Sequence, residues 1–206
     1  MKSIFKKTYL LLFAILPSLC NSLRSGIPFD SSHRIVGKIR IIRKSWFIRL
    51  MTRGKNGTLA IGKNFKCNNK IKSNSIGLIQ PCVFNIATAG AEIVIGNNVG
   101  ISGATINATK SIKIGDNVLI GSGCIITDTD SHPIGWEDRI NNNNYKTISK
   151  PIVICDNVFI GARSFIMKGV TIGKNSVIGA GSVVTKSIPE NCIAGGNPAK
   201  VIKYLN

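Results

Sequence analysis

The sequence predicts an all-β fold, a parallel β-helix coiled from six-residue blocks, and three observations carry that prediction. Aliphatic residues recur every six positions from Ile154 without a slip: Ile154, Ile160, Ile166, Ile172, Ile178 and Val184. Small or turn-forming residues follow them (Cys155, Gly161, Gly173, Gly179), and small or β-branched ones fill the fifth position (Val158, Ser164, Val170, Ser176, Ser182). The 21 glycines and an aromatic share of only 6% suit short strands around a narrow aliphatic core. A period of six fits neither a 3.6-residue helix nor a hairpin, but it fits one short strand and one turn per block. Three blocks then close a triangular coil, and stacked coils pair edge to edge as parallel sheets.

The same register continues upstream through Ile114, Ile120 and Ile126 and through Ile95 and Ile101, and Ile61-Gly62-Lys63-Asn64-Phe65 reads as its first block. The repeated aliphatic points inward. The Gly-Asp-Asn, Gly-Lys-Asn and Cys-Asp-Asn stretches turn the corners, where tolerance of unusual dihedrals is wanted. One main domain, residues 56–206, is expected, preceded by a basic N-terminal helical or cap segment, residues 1–55.

Charge sets that segment apart. The chain carries a net charge of +18, and residues 1–55 hold 12 Lys and Arg against one acid, Asp30. Such an excess suits an anionic partner. With no aromatic-interleaved RNA motif, zinc-finger spacing or helix-turn-helix pattern, nucleic acid is not the expected one. Lys6 and Lys7 before the apolar run Tyr9–Leu16 imitate a signal peptide, but no A-x-A site follows and eight apolar residues are too few to span a bilayer. The expectation is an uncleaved basic segment that lies on the inner membrane surface or packs on the body, in a cytoplasmic protein; a cleaved leader is the alternative. The six cysteines form no C-x-x-C pair and read as small buried or half-buried thiols.

The register breaks once in the second half, and there the chemistry is expected. After Ile114, Ile120 and Ile126 the next aliphatic is due at position 132, which is His132, and the register resumes only at Ile154. The chain therefore leaves the coil in a loop of residues 132–153, which holds Trp136, Arg139, four consecutive asparagines and Tyr145.

The string Thr127-Asp128-Thr129-Asp130-Ser131-His132-Pro133, the run Phe159-Ile-Gly-Ala-Arg-Ser164, the stretch Gly179-Ala-Gly-Ser-Val-Val-Thr-Lys186 and the tail Gly195-Gly-Asn-Pro-Ala-Lys-Val-Ile-Lys203 resemble the hexapeptide-repeat acyltransferase family. Within it the chain is most similar to the maltose and galactoside and the polysaccharide O-acetyltransferases. The resemblance covers residues from about 59 to 206. It implies that the coil is left-handed, against the usual crossover preference, that the protein is a homotrimer, and that acetyl-CoA is the co-substrate. It also makes His132 the general base that takes the proton of an acceptor hydroxyl as it attacks the thioester, with Asp130 or Asp128 orienting the ring. Ala162, Ala180, Thr185 and Lys186 are the implied coenzyme contacts, and Lys200 and Lys203 are placed where cations meet its phosphates. Phe159 stands where many relatives have Trp.

Asn85, Ser102 and Asn107, polar residues upstream of the catalytic coil, are the candidates for holding a sugar or glycan acceptor. An acceptor in cell-surface polysaccharide synthesis would suit the basic N-terminus. A small-molecule acetyltransferase, acting on an amino sugar, serine or an antibiotic, is the alternative, and a non-catalytic β-helix scaffold is the alternative of another class. No metal is expected, because a zinc site of the carbonic anhydrase kind on this coil needs three imidazoles and the chain has two histidines, His33 and His132.

Overall fold

The computed structural model describes residues 30–43, 57–71 and 74–206. Among the described residues nineteen strands are numbered β1 to β19 in chain order, and up to β17 every third one lies on the same face of a three-sided coil. The first face stacks β1 (Arg34–Val36), β4 (Lys66–Asn68), β7 (Gly100–Ser102), β10 (Leu119–Ile120), β13 (Phe159–Ile160), β16 (Val177–Ile178) and β18 (Cys192–Gly196). The second stacks β2 (Arg40–Arg43), β5 (Val83–Ile86), β8 (Thr105–Ala108), β11 (Ile125–Thr127), β14 (Phe165–Ile166) and β17 (Val183–Val184). The third stacks β3 (Thr58–Ile61), β6 (Glu92–Ile95), β9 (Ser111–Ile114), β12 (Ile152–Ile154) and β15 (Thr171–Ile172). All these neighbours pair in parallel. Among the described strands only β19 (Ala199–Tyr204) runs antiparallel, against β18, and closes the end of the first face.

Register confirms the six-residue period. Ile101, Ile120, Ile160 and Ile178 are paired in one column, Ile106, Ile126, Ile166 and Val184 in a second, and Ile95, Ile114, Ile154 and Ile172 in a third. All twelve are buried. At roughly 1.5–3 kcal/mol for each large aliphatic removed from water, these columns are the main source of stability.

Corners differ in chemistry. At the corner between the third and first faces Asn64, Asn98, Asn117, Asn157, Asn175 and Asn191 all adopt left-handed φ values of 53–59°. Each side-chain amide donates to the next asparagine's oxygen at 2.8–3.0 Å, so the corner carries an unbroken ladder. Asparagine suits both demands, tolerance of αL and a short amide. Between the first and second faces the coils stack so closely that a Cβ on Gly161 would sit 2.4 Å from the Ala180 nitrogen.

The coil begins earlier than the boundary expected at residue 56. Strands β1 and β2 belong to it, since Ile35 pairs with Cys67 and Ile41 with Phe84. Ile35 and Ile41 are themselves six residues apart and face the core. Residues 1–29 and 44–56, with Lys6, Lys7 and the apolar run among them, lie outside the described residues. Among the described residues no helix is long and apolar enough to cross a membrane. Cys67, Cys82, Cys124 and Cys192 are buried thiols and Cys155 is half-buried.

Two excursions leave the coil among the described residues. One joins β4 to β5. The other joins β11 to β12 and contains a short helix, α1 (Trp136–Ile140), and a 3₁₀ turn at Asn144–Lys146. It returns as the register requires, with Ile154 paired to Ile114.

Candidate active site

The loop joining β11 to β12 rises from the corner between the second and third faces on a two-stranded neck. Thr129 and Ser149 form an antiparallel bridge, Asp130 N donates to Ile148 O at 3.1 Å, and Lys150 N donates to Asp128 O at 2.8 Å. The loop is braced internally, because Asp138 accepts from Lys146 Nζ at 2.7 Å and from Asn143 Nδ2 at 3.0 Å. These bonds hold the Asp138 carboxyl below the usual carboxylate range, and the same pairing raises Lys146. Arg139 donates to the carbonyl of the buried Pro133 at 3.0 Å, tying α1 to the neck.

His132 stands where the neck opens into the loop. Its ring is exposed and makes no hydrogen bond to any described residue. The residue before it, Ser131, has a left-handed φ of 64°, a conformation that costs energy for a residue with a side chain and turns the chain sharply. His33, by contrast, is buried in the first coil, donates from Nε2 to Gly62 O at 2.9 Å and packs edge-on against Phe65. It is committed to the fold, which leaves His132 as the one imidazole open to a reacting group.

The two aspartates of the motif part company. Asp128 is 0% exposed and saturated: Oδ1 accepts from Thr109 N (2.7 Å) and Thr109 Oγ1 (2.8 Å), and Oδ2 from Lys110 N (2.7 Å) and Ser111 N (2.9 Å). It staples the corner of the coil beneath, and both its oxygens are spent there, which takes it out of the orienting role expected for either aspartate. Asp130 is bonded through Oδ1 to Lys168, while its Oδ2 is buried without a hydrogen-bond partner among the described residues. Sequence reasoning missed Lys168.

Beside the neck lies a cavity of about 440 Å³ whose lining includes Asn85, Asn107, Thr109, Thr129, Ser131 and Thr147. A second hollow of about 450 Å³ on the second face shares Asn85, Asn107 and Ser131 and reaches Gln80 and Arg40. Asn85 and Asn107 are paired across β5 and β8, and Asn85 Nδ2 donates to Asn107 Oδ1 at 2.7 Å. Asn107 in turn donates to Thr127 Oγ1 at 3.0 Å. Ser102 is not with them: it lies on β7, on the first face, and lines a different groove.

The coenzyme candidates lie on two corners of the coil and on its closing hairpin. Ala162 and Ala180 stack on the corner between the first and second faces, where Gly181 N donates to Ala162 O at 2.8 Å. Lys200 pairs with Gly195 on the β18–β19 hairpin, with Lys203 further along and both exposed. Thr185 and Lys186 are exposed at the corner from which the His132 loop emerges. Among the described residues no cluster of His, Cys, Asp and Glu could hold a metal ion.

The family described as "Hexapeptide repeat of succinyl-transferase" matches residues 111–135 and 151–186, two stretches on either side of the loop. The hexapeptide repeat is thus matched on both sides of the loop. With solved acetyltransferase structures as its neighbours, the repeat makes the coil a left-handed β-helix. It is 47% identical over 129 residues to a galactoside O-acetyltransferase of Escherichia coli K12, covering 62% of this chain and 61% of that protein. It is 46% identical over 123 residues to a putative acetyltransferase of Saccharomyces cerevisiae, covering 56% of this chain and 58% of that one. The chain thus spans about three fifths of the length of these curated relatives. Among solved structures it resembles a galactoside acetyltransferase in complex with coenzyme A, with a TM-score of 0.53 and 27% identity over 93% of this chain and 80% of that one. A maltose O-acetyltransferase of Clostridium difficile 630 gives 0.51 and 26%, over 96% of this chain and 89% of the other.

Proposed function

We propose that the protein is an acetyl-CoA-dependent O-acetyltransferase that acetylates a hydroxyl of a sugar or glycan precursor, in the synthesis of cell-surface polysaccharide, with His132 as general base. The observation that carries this reading is the exposed, uncommitted imidazole at the mouth of the loop, next to a cavity lined by amides and hydroxyls. Galactoside O-acetyltransferase relatives and the coenzyme-bound structural neighbour support the donor and the acceptor class.

In this reading the acceptor lies along the cavity. Uncharged groups such as Asn107, Thr109 and Thr147 suit it, because they can exchange hydrogen bonds with a polyol without imposing a charge on it. The His132 ring takes the hydroxyl proton as the oxygen attacks the thioester carbonyl. The tetrahedral intermediate then expels the coenzyme thiolate, to which the imidazolium returns the proton. Small side chains at Ala162 and Ala180 leave room for the pantetheine arm, and Lys200, Lys203 and Lys186 serve its phosphates. These groups lie on two different corners of one chain, so a single coenzyme that touched both would be held between neighbouring copies, as in a homotrimer. The basic N-terminal segment would keep the enzyme on the cytoplasmic side at an anionic membrane surface, near a lipid-linked acceptor.

The test is transfer of labelled acetyl from acetyl-CoA to a panel of sugars, glycans, amino sugars and serine, with wild type and His132→Ala. The variant should lose transfer while keeping its acetyl-CoA affinity. Full activity in His132→Ala would sink the role of base, and labelling of amines alone would sink the O-acetyl assignment.

A further inference from the structure

The ion pair between Lys168 and Asp130 is set apart from the other pairs among the described residues by its burial. Its side chains are 19% and 14% exposed, whereas in the other three pairs at least one partner is nearly half exposed or more. A chain with 27 basic and 9 acidic residues has no shortage of cations in solvent. A shielded pair between the β14–β15 corner and the neck of the loop therefore calls for a reason beyond charge balance, since shielding two charges usually costs about what their attraction returns.

The reason lies at the other oxygen. Asp130 Oδ1 takes the Lys168 ammonium, and Oδ2 is buried with no hydrogen-bond partner among the described residues. An acceptor left so is costly, and in a native fold such an atom calls for an explanation. Ser131 turns the chain through a left-handed conformation, and His132, two residues on from Asp130, carries a ring with no hydrogen bond to any described residue.

We infer that Lys168 is a positioning residue: it anchors one oxygen of Asp130 so that the other receives the Nδ1–H of His132, fixing the tautomer whose Nε2 is free to take the acceptor's proton. Lys168 touches no reacting atom and acts only through Asp130. This rests on the reading of His132 as the base. Arginine at 168 preserves an anchor, while methionine, of similar length, removes it and lets the carboxylate swing away.

Two measurements on the full-length protein test this. In acetyl transfer, Lys168→Met should lower kcat by roughly tenfold to a hundredfold, part of what a general base contributes. KM for acetyl-CoA and for the acceptor should stay within about twofold, and Lys168→Arg should recover most of the rate. Lys168→Met combined with Asp130→Asn should be no slower than Asp130→Asn alone, because the two act as one unit. Unchanged kcat in folded Lys168→Met, or multiplied losses in the double variant, overturns the inference. The second measurement needs no turnover: ¹⁵N shifts of the His132 ring, assigned against His132→Ala, should report the Nδ1–H tautomer in wild type and in Lys168→Arg and a mixture in Asp130→Asn. The same tautomer in wild type and Asp130→Asn overturns it as well. An inactive His132→Ala beside a fully active Lys168→Met removes this inference and leaves the base in place; an active His132→Ala removes the base itself.

Discussion

Replacing Asp128 by asparagine or alanine separates a structural carboxylate from a catalytic one. In the folded chain the Asp128 oxygens satisfy three backbone N–H groups, of Thr109, Lys110 and Ser111, and the Thr109 hydroxyl, in a place closed to water. Asparagine keeps the size but turns one oxygen into a donor. With its oxygen toward Lys110 and Ser111, the new NH₂ can still donate to the Thr109 hydroxyl, and the Thr109 N–H alone is orphaned. One buried orphan costs about 1–3 kcal/mol, so Asp128→Asn should destabilise by that much. Alanine orphans all three N–H groups and should cost more than about 3 kcal/mol. For a chain of this size each kcal/mol lowers the melting temperature by roughly 2–4 °C. Chemical and thermal denaturation give the stability, and kcat measured well below the melting temperature gives the catalytic effect. An Asp128→Asn protein that unfolds at the wild-type midpoint while kcat drops tenfold would refute the staple argument.

Four further outcomes follow from the same geometry. Asn157→Ala removes two amide bonds of the corner ladder and places alanine at φ 59°, which should cost about 1–3 kcal/mol in denaturant titration. Gly161→Ala forces a Cβ to 2.4 Å from the Ala180 nitrogen, so the coils must spread there; a loss of about 1–3 kcal/mol is expected, together with weaker acetyl-CoA binding by calorimetry. The Lys200→Ala, Lys203→Ala double variant should weaken acetyl-CoA by about tenfold, or ~1.4 kcal/mol, and unchanged affinity would place the phosphates elsewhere. The Asp138 carboxyl is held below its ordinary range by Lys146 and Asn143; its contribution to the loop is complete above the unfolded pKa and is lost as pH falls through the lower folded value. The loop brace should therefore hold down to about pH 4 and open only below it. Trp136 fluorescence in a Trp46→Phe background would follow that opening.

The coil was legible because its period belongs to no other structure, and it was misread where composition spoke louder. Ile35 and Ile41 carry the six-residue spacing, but Arg34, Arg40 and Arg43 flank them and the region read as a basic cap. Their aliphatics face the core all the same. Between Cys67 and Phe84 an excursion of chain hides the count, which is why Ser102 was grouped with Asn85 and Asn107. Ser102 precedes Asn107 by five residues, about one block, and one block carries the chain to the next face. The return of the second loop at Ile154 was predicted correctly, since the aliphatic must rejoin its column over Ile114. Its helix α1 was invisible: Trp136 and Ile140 are exposed and bury nothing that would imprint a pattern.

The division between the two aspartates follows from that same register. Ile126 continues its column into Ile166, an offset of 40 residues, and the offset carries Asp128 to Lys168, each two residues beyond its aliphatic. One coil earlier the equivalent place is Ala108, next to Asn107, the partner of Thr127. Where the chain rounds the corner without leaving, a small apolar residue suffices. At Asp128 it leaves the coil, and the Thr109–Ser111 backbone beneath loses the neighbouring strand that would have covered it. A carboxylate with two oxygens is the compact group that can accept four bonds there. Lys168, one coil further on, stands over this departure and reaches past Asp128, whose oxygens are taken, to Asp130 on the neck. The corner thus uses its first carboxylate to make the loop's root rigid and its second to give the loop a charged contact with the next coil. A histidine two residues further along is then held by a scaffold on both sides, although its own ring is exposed.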